Sequence, residues 1–499
     1  MTLTPQDGPV VIVGAGMAGL GAAATLRRAG HEVVVLERLG YVGGLARSID
    51  FKGHVFDVGP HYFFLDVSDE VNDLIRSSMQ PGEWRPIDFK ISALIGGKDV
   101  PWPPSFSAVF KLPLRGIFQF VKLSMQKRVP PTHVSADFLQ GVYGTAMYRV
   151  FLDPYLRKKV PVSEGATKLH RDWYLQAART IHNVPDAKRD KMLQHEPEVI
   201  EKYLARYPAA RKRAEEAQAA AAANGAGASE GGAGGGAGLG HKLAVIRNLI
   251  ASAAKKNYKK VLYPPGGVGM IVERVAEDYV ARGGTLHLRA SNVRFELDGK
   301  RVSRVTWDGG SVENPAQVIW TGSVHRLCSM VGIAREELPF MTILLGMLKL
   351  KRPLPAGDSL YTYVADDEIP FNRIYYPNRS VGGLCPPDKD SLCVEISPTD
   401  FKDEADPERL WEQTIKGLEK LRICSRDDVE DHMFMFVPDS YPVYPLDYRE
   451  KLERIWSELD QFENLRSIGR SGQFWYNNMA RSMRAGVETA RDLRGEYEP

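Results

Sequence analysis

The chain has 499 residues, 43% hydrophobic and 25% charged, with a formal net charge of +3. So small a charge leaves no electrostatic footprint for nucleic acid, and no run of ~18 apolar residues exists to form a membrane-spanning helix. The length exceeds what one compact core holds, so two intertwined domains are expected.

In chain order, an apolar strand from Val10 to Val13 runs into Gly14-x-Gly16-x-x-Gly19. A helix follows, and a second apolar strand from Val33 to Leu36 ends at Glu37. Strand, glycines, helix, strand and acid in this register form a βαβ unit built for a dinucleotide. Gly14 permits the turn, Gly16 lets the backbone approach a pyrophosphate, and Gly19 lets the helix pack on the sheet. The helix N-terminus offers N–H groups to phosphate, and Glu37 can accept from ribose hydroxyls, which disfavours NADP. Entry straight into this strand predicts no signal peptide. Cys328, Cys385, Cys393 and Cys424 lack metal-ligand spacing and suit a reducing, cytoplasmic setting.

Val100-Pro101-Trp102-Pro103-Pro104 reads as a loop. From Phe106 to Arg128 apolar residues recur at helical spacing among Lys111, Arg115, Lys122, Lys127 and Arg128, with Pro113 as an interruption. Such a segment is either a packed helix with a solvated basic face or one that lies on a membrane surface. Residues 133–216 read as helical, and the Ala/Gly tract 217–240 reads as a flexible linker. A helix from Leu243 to Lys256 and a basic cluster through Lys260 follow. Tyr263-Pro264-Pro265-Gly266-Gly267-Val268-Gly269-Met270 precedes another helix, then strands at Thr285–Arg289 and Val293–Leu297, a turn at Asp308-Gly309-Gly310, and a buried strand at Gln317–Gly322. Residues 340–400 read as a mixed sheet, 405–424 as a helix, and the last fifty as loop plus helix.

Several motifs carry a resemblance beyond the first turn. Gly43-Gly44-Leu45-Ala46-Arg47-Ser48 resembles the second glycine pair of the FAD-dependent amine oxidase superfamily, which includes protoporphyrinogen oxidases and phytoene desaturases. Phe56-Asp57-Val58-Gly59-Pro60-His61, Asp153-Pro154-Tyr155 with Lys159-Val160-Pro161, Tyr363 with Ile369-Pro370-Phe371-Asn372-Arg373, Tyr441-Pro442-Val443-Tyr444, Gly469-Arg470-Ser471-Gly472 and Tyr476-Asn477-Asn478-Met479 resemble UDP-galactopyranose mutase and its relatives. The chain departs from that pattern after Trp173, where the expected second arginine falls near Ala177 with Arg179 two residues on. It departs again at Trp475 and at Asn477-Asn478.

The resemblance implies an α/β fold: a Rossmann-like FAD-binding domain with an inserted mixed-sheet and helical substrate domain. The expected division is residues 1–100, 261–335 and 446–499 for FAD, with 101–260 (helical, containing 217–240) and 336–445 (mixed sheet) for substrate. It implies FAD held by Gly14, Gly16, Gly19, Glu37, Arg38, Gly43, Gly44, Leu45, Ala46, Arg47, Gly59, Pro60, His61, Val293, Gly469, Arg470, Asn477, Asn478 and Met479. His61, Tyr363, Arg373, Tyr441 and Tyr476 are the expected catalytic residues, and no metal is expected. Two activities follow from it: isomerisation of a nucleotide-diphosphate sugar through reduced flavin N5, with NAD(P)H as a reductant, or oxidation of an amine or apolar substrate by hydride transfer to FAD.

Overall fold

The structure is a computed structural model that describes residues 2–95, 98–102, 114–124, 134–143, 145–159, 169–173, 259–397 and 406–496. The expected linker 217–240 and the helices expected on either side of it lie outside these residues, as do Ala177 and Arg179. In chain order the elements that position the site begin with β1 (Val10–Val13), α1 (Met17–Arg28) and β2 (Val33–Glu37). Next come β3 (Ile91–Ile95), β4 (Lys98–Pro101), α2 (Leu114–Ser124), α3 (Ser135–Tyr143) and α4 (Asp153–Lys159). After them lie α5 (Gly269–Ala281), β5 (Thr285–Leu288), β6 (Gln317–Trp320), β7 (Phe340–Leu350), β8 (Tyr361–Val364) and β9 (Arg373–Tyr375). The series ends with β10 (Asp390–Ile396), α6 (Pro407–Lys420), β11 (Val429–Pro442), β12 (Leu465–Ser467) and α7 (Met479–Leu493).

Five strands form a parallel sheet in the order β5-β2-β1-β6-β12. Its strands come from three distant stretches of chain, and the interior strands β1 and β2, covered on both faces, are accordingly near-continuous apolar runs. α1 packs against α5 and α7. The contact of α1 with α7 is backbone-close: a Cβ on Gly486 would stand 2.0 Å from the Ala18 carbonyl oxygen. This ties the last helix of the described chain to the first.

A second sheet has seven strands in the order β11-β7-β10-β9-β8-β3-β4. It is antiparallel except for the β8–β3 pair. Its strands alternate with period two, as a two-faced sheet must. Val364, Ile374 and Val394 join Leu410, Trp411, Ile415 and Leu418 of α6 in one apolar cluster. Tyr361, Tyr363, Tyr375 and Cys393 belong to the larger core shared with the parallel sheet.

The turn expected at Asp308-Gly309 connects two antiparallel strands, Arg301–Trp307 and Gly310–Glu313. α2 lies within the stretch expected to be helical, while the expected interruption at Pro113 falls outside the described residues. The loop expected at 100–104 is corrected at its start. Val100 and Pro101 belong to β4, paired with Ala93 and Ser92. β4 is the last strand of its sheet, where a proline removes no ladder hydrogen bond, and Val100 is buried against the core. All four cysteines are free and buried, so Cys385 and Cys393 form no disulfide. No helix among the described residues is long and apolar enough to cross a membrane.

Candidate active site

The first turn is packed as its glycines require. A Cβ on Gly19 would lie 1.9 Å from the Gly14 carbonyl oxygen, and Gly14 itself has φ +109°. The second glycine pair docks beside it: Gly43 N–H donates to the Ala15 carbonyl (2.8 Å), and Gly16 and Gly43 form a parallel bridge. α1 begins with no side-chain cap and no acid in its first turn, so its leading N–H groups remain available to an anion. The nearest atom to a Cβ on Gly16 would be the Gly43 oxygen, 3.9 Å away. An uncapped helix start beside open space at Gly16 fits a dinucleotide pyrophosphate.

Glu37 braces this turn from below. One carboxylate oxygen accepts from Ala15 N–H (2.8 Å) and the other from Leu39 N–H (2.8 Å). Each oxygen keeps a second lone pair for a ribose hydroxyl. Gly44 and Leu45 are half-buried and Ala46 is buried beside this turn. Arg47 turns back onto the Gly44 carbonyl (2.6 Å) and the Tyr41 ring, and Arg38 is exposed. Val293 is buried at the start of the small antiparallel sheet.

A buried carboxylate secures the next stretch. Asp57 accepts from Ser48 Oγ (2.6 Å), Tyr263 Oη (2.5 Å) and Val268 N–H (3.1 Å). Ser48 Oγ in turn accepts from Gly269 N–H (2.9 Å), the first residue of α5. Burial outweighs these three donors and pushes the Asp57 carboxyl up to about 6. This network fixes the strand that leads through Gly59 and Pro60 to His61. Loss of hydration, with Arg470 and Arg373 nearby, lowers the His61 imidazole to about 3, so it is neutral. Its Nδ1 is buried without a partner.

The second part of the site is a chamber on the seven-stranded sheet. Register alone lines up three of its residues: Tyr363 pairs with Arg373, and Arg373 pairs with Glu395 on the next strand. Opposed residues on neighbouring strands share a face, so these side chains meet. The Arg373 guanidinium donates to the Glu395 carboxylate in a fully buried ion pair. It also reaches Tyr441 Oη (3.5 Å) and lies 5.3 Å from the Tyr361 ring centre. Burial works against the Arg373 charge, but Glu395 prevails and holds it firmly protonated.

Aromatic rings enclose this pair. Tyr155 of α4 packs on Tyr363 (4.4 Å), and Trp102 packs on both Tyr363 (5.3 Å) and Tyr155 (6.3 Å). Tyr441 stacks on Tyr476 (5.0 Å), whose far edge meets Trp173 (5.5 Å). Lys159, the last residue of α4, is 3% exposed, with Nζ 5.2 Å from the Tyr441 ring centre. Among the described residues it forms no ion pair, and Glu395 acts on it only from a distance. Burial first, and then Arg373, lower its ammonium to about 7. Tyr155 Oη, Arg373 Nε and Glu395 Oε1 are buried without partners, an arrangement that native cores avoid unless a ligand or water completes it.

The C-terminal motif closes the chamber. Arg470 donates to the carbonyls of Ser440 (2.9 Å) and Asn477 and lies over the Tyr441 ring. Gly469 sits against Ala18 of α1. Asn477 is buried with Nδ2 unpartnered, while Asn478 caps α7 by accepting from Arg481 N–H (2.9 Å), and Met479 is buried behind it. The structure therefore gathers Tyr363, Arg373, Tyr441, Tyr476 and Arg470 in one place. Glu395 and Tyr361 escaped sequence reasoning. The only signal for Glu395 is an acid in the middle of an apolar strand, Ser391-Leu392-Cys393-Val394-Glu395-Ile396. No group of three or more metal-ligating side chains occurs among the described residues.

Residues 12–77 match the family model of the NAD(P)-binding Rossmann-like domain. A 1-hydroxycarotenoid 3,4-desaturase from Flavobacterium sp. is 42% identical over 65 residues, 13% of this chain and 13% of that protein. The chain thus matches only about an eighth of this curated relative's length. Two solved structures superpose over nearly the whole chain. One is reduced UDP-galactopyranose mutase, with a TM-score of 0.74 and 18% identity over 99% of this chain and 96% of that one. The other is putrescine oxidase bound to putrescine, with a TM-score of 0.56 and 15% identity over 98% and 99%.

Proposed function

We propose that this chain, which has the fold of the FAD-dependent amine oxidase superfamily, is an FAD-dependent oxidoreductase that oxidises a neutral or amine substrate enclosed by Tyr155, Tyr363 and Tyr441. The observation that carries this reading is the buried Arg373–Glu395 pair. A guanidinium already neutralised by a carboxylate offers little net charge to a diphosphate, and Glu395 repels one. Apart from Lys159 and Arg470, the remaining surface is aromatic, which suits an apolar body or an amine facing π-electrons.

FAD, when bound, supplies a hydride acceptor. The residues expected to hold it are Gly14, Gly16, Gly19, Glu37, Gly43 and Gly44 at the first turn, and His61, Gly469, Arg470 and Asn477 nearer the chamber. The second glycine pair, docked on the first, supports FAD over a nicotinamide cofactor. The tyrosines hold the substrate and exclude water. Oxidation removes a hydride and a proton from the substrate. Lys159, whose ammonium titrates near neutrality, is the proposed acceptor of that proton. His61, neutral throughout the physiological range, contributes a hydrogen-bonding group without a charge. The division into three cofactor segments and two substrate segments is part of the same proposal.

The test is an anaerobic titration of the yellow holoprotein with primary and secondary amines and with apolar alkenes. Bleaching of the oxidised flavin without added reductant is the expected result. A second reading, isomerisation of a nucleotide sugar, draws on the superposition with reduced UDP-galactopyranose mutase. It is favoured instead if no compound bleaches the flavin, and NAD(P)H-reduced protein interconverts nucleotide sugars without consuming an oxidant.

A further inference from the structure

The described helices bury their apolar faces, with one exception. In α2, Phe120 and Leu123 are buried, 5% and 8% exposed, and hold the helix against Thr145–Met147. On its other side Leu114, Phe118 and Val121 are 87%, 74% and 52% exposed. At 100° per residue these three fall within an arc of roughly 60°, so they form one apolar stripe and not scattered surface positions. Lys122 stands exposed at its edge.

The charge of the sequence stretch that contains α2 is one-sided. No acidic residue occurs between Asp99 and Asp137, whereas Lys111, Arg115, Lys122, Lys127 and Arg128 all fall in that interval. We propose that α2 is an interfacial anchor that lays Leu114, Phe118 and Val121 into the surface of an anionic phospholipid bilayer. An exposed apolar stripe beside cations, on a helix of 11 residues, is the form of a helix that lies in the interface. At 1.5 Å per residue it is about half the length needed to span one. A second copy of the chain is the poorer occupant, because two such faces would bring like charges together. A soluble acidic partner would answer the cations but leave no special use for three exposed apolar side chains.

The position adds consequence. The turns packed under α2 continue through Tyr148–Leu152 into α4, which carries Tyr155 and Lys159 of the chamber. An anchor there holds the chamber's helical wall beside the bilayer. This inference does not depend on which reaction the chamber performs.

The experiment is flotation of the full-length holoprotein with vesicles of equimolar phosphatidylglycerol and phosphatidylcholine, or of phosphatidylcholine alone. Binding to the anionic vesicles, weakened by high salt, is expected. The Leu114→Ser/Phe118→Ser variant should lose about tenfold in partitioning, with flavin content and near-ultraviolet circular dichroism unchanged, since both side chains are solvent-facing. In a Phe118→Trp variant, that tryptophan's emission should shift to the blue on adding anionic vesicles. Wild-type protein that stays in solution with both vesicle types at low salt overturns the proposal. So does a Ser/Ser variant that binds as tightly as wild type. A wild-type dimer that the Ser/Ser variant dissociates, without vesicle binding, assigns the stripe to a second copy and also overturns it.

Discussion

The first turn and the aromatic chamber are built on opposite principles. The turn is made of backbone: Gly14, Gly16, Gly19, Gly43 and Gly44 matter for what they lack, and the single side chain that braces them, Glu37, bonds to main-chain N–H groups. The chamber is made of side chains from five stretches of chain, Trp102, Tyr155–Lys159, Tyr361–Arg373, Glu395 and Tyr441–Tyr476. Its Arg373 charge is compensated within the protein by Glu395. In the first region Gly14 and Gly19 accept no substitution because a Cβ there would strike a neighbouring atom, while the space at Gly16 is left for the ligand. The second is lined by side chains, and its chemistry depends on which charges remain after pairing.

Four perturbations break or sharpen that contrast. The largest effect is expected from Gly19→Val, which drives a side chain into the Gly14 carbonyl oxygen. A backbone collision of this kind costs more than about 4 kcal/mol, and the purified protein should be colourless or unfolded by absorbance and thermal melt. Glu395→Ala should follow, with about 3–5 kcal/mol lost in chemical denaturation, because Arg373 is left charged and buried. Replacing both partners, Arg373→Met with Glu395→Leu, should recover most of that stability. If it does not, the pair does more for the fold than hold two charges.

Lys159→Met comes third. A base lowered to about 7 is charged below that pH and free above it, so wild-type kcat/KM should rise through pH 7 and level off. The variant should lose this limb and about a hundredfold in rate, with flavin content retained. An unchanged pH profile would remove Lys159 from the chemistry. The smallest effect belongs to Ser48→Ala, which takes one donor from Asp57 and the acceptor from Gly269 at a cost of about 1 kcal/mol. The sign of its pH dependence is informative. Asp57 is raised from 3.8 to about 6, so the folded state holds the extra proton between these values and stability falls as pH rises through them. Losing a donor raises Asp57 further and should steepen that fall in pH-dependent melts.

How much of this was legible in advance divides along the same line. The first two strands of the parallel sheet, the helix that follows Gly16 and the turn at Asp308-Gly309 are local in origin, since hydrophobic period and glycine spacing act over a few residues. Val100 and Pro101 were misread because a proline looks like a loop until it is known to lie on a sheet edge. Arg373 was recognised as a chamber residue, but its partner was not. Tyr363, Arg373 and Glu395 are joined by strand register across three strands, and register is set by which strands pair.

By itself the sequence determined a dinucleotide turn, because steric permission is written in the residues that lack side chains. It also determined the basic, acid-free character of the stretch that contains α2. Only the tertiary structure decided that Arg373 is neutralised, that Lys159 is buried among rings, and that Leu114, Phe118 and Val121 face outward. Net charge, hydration and exposure belong to a side chain's neighbours in space, and those neighbours are brought in by the pairing of distant strands and the packing of helices.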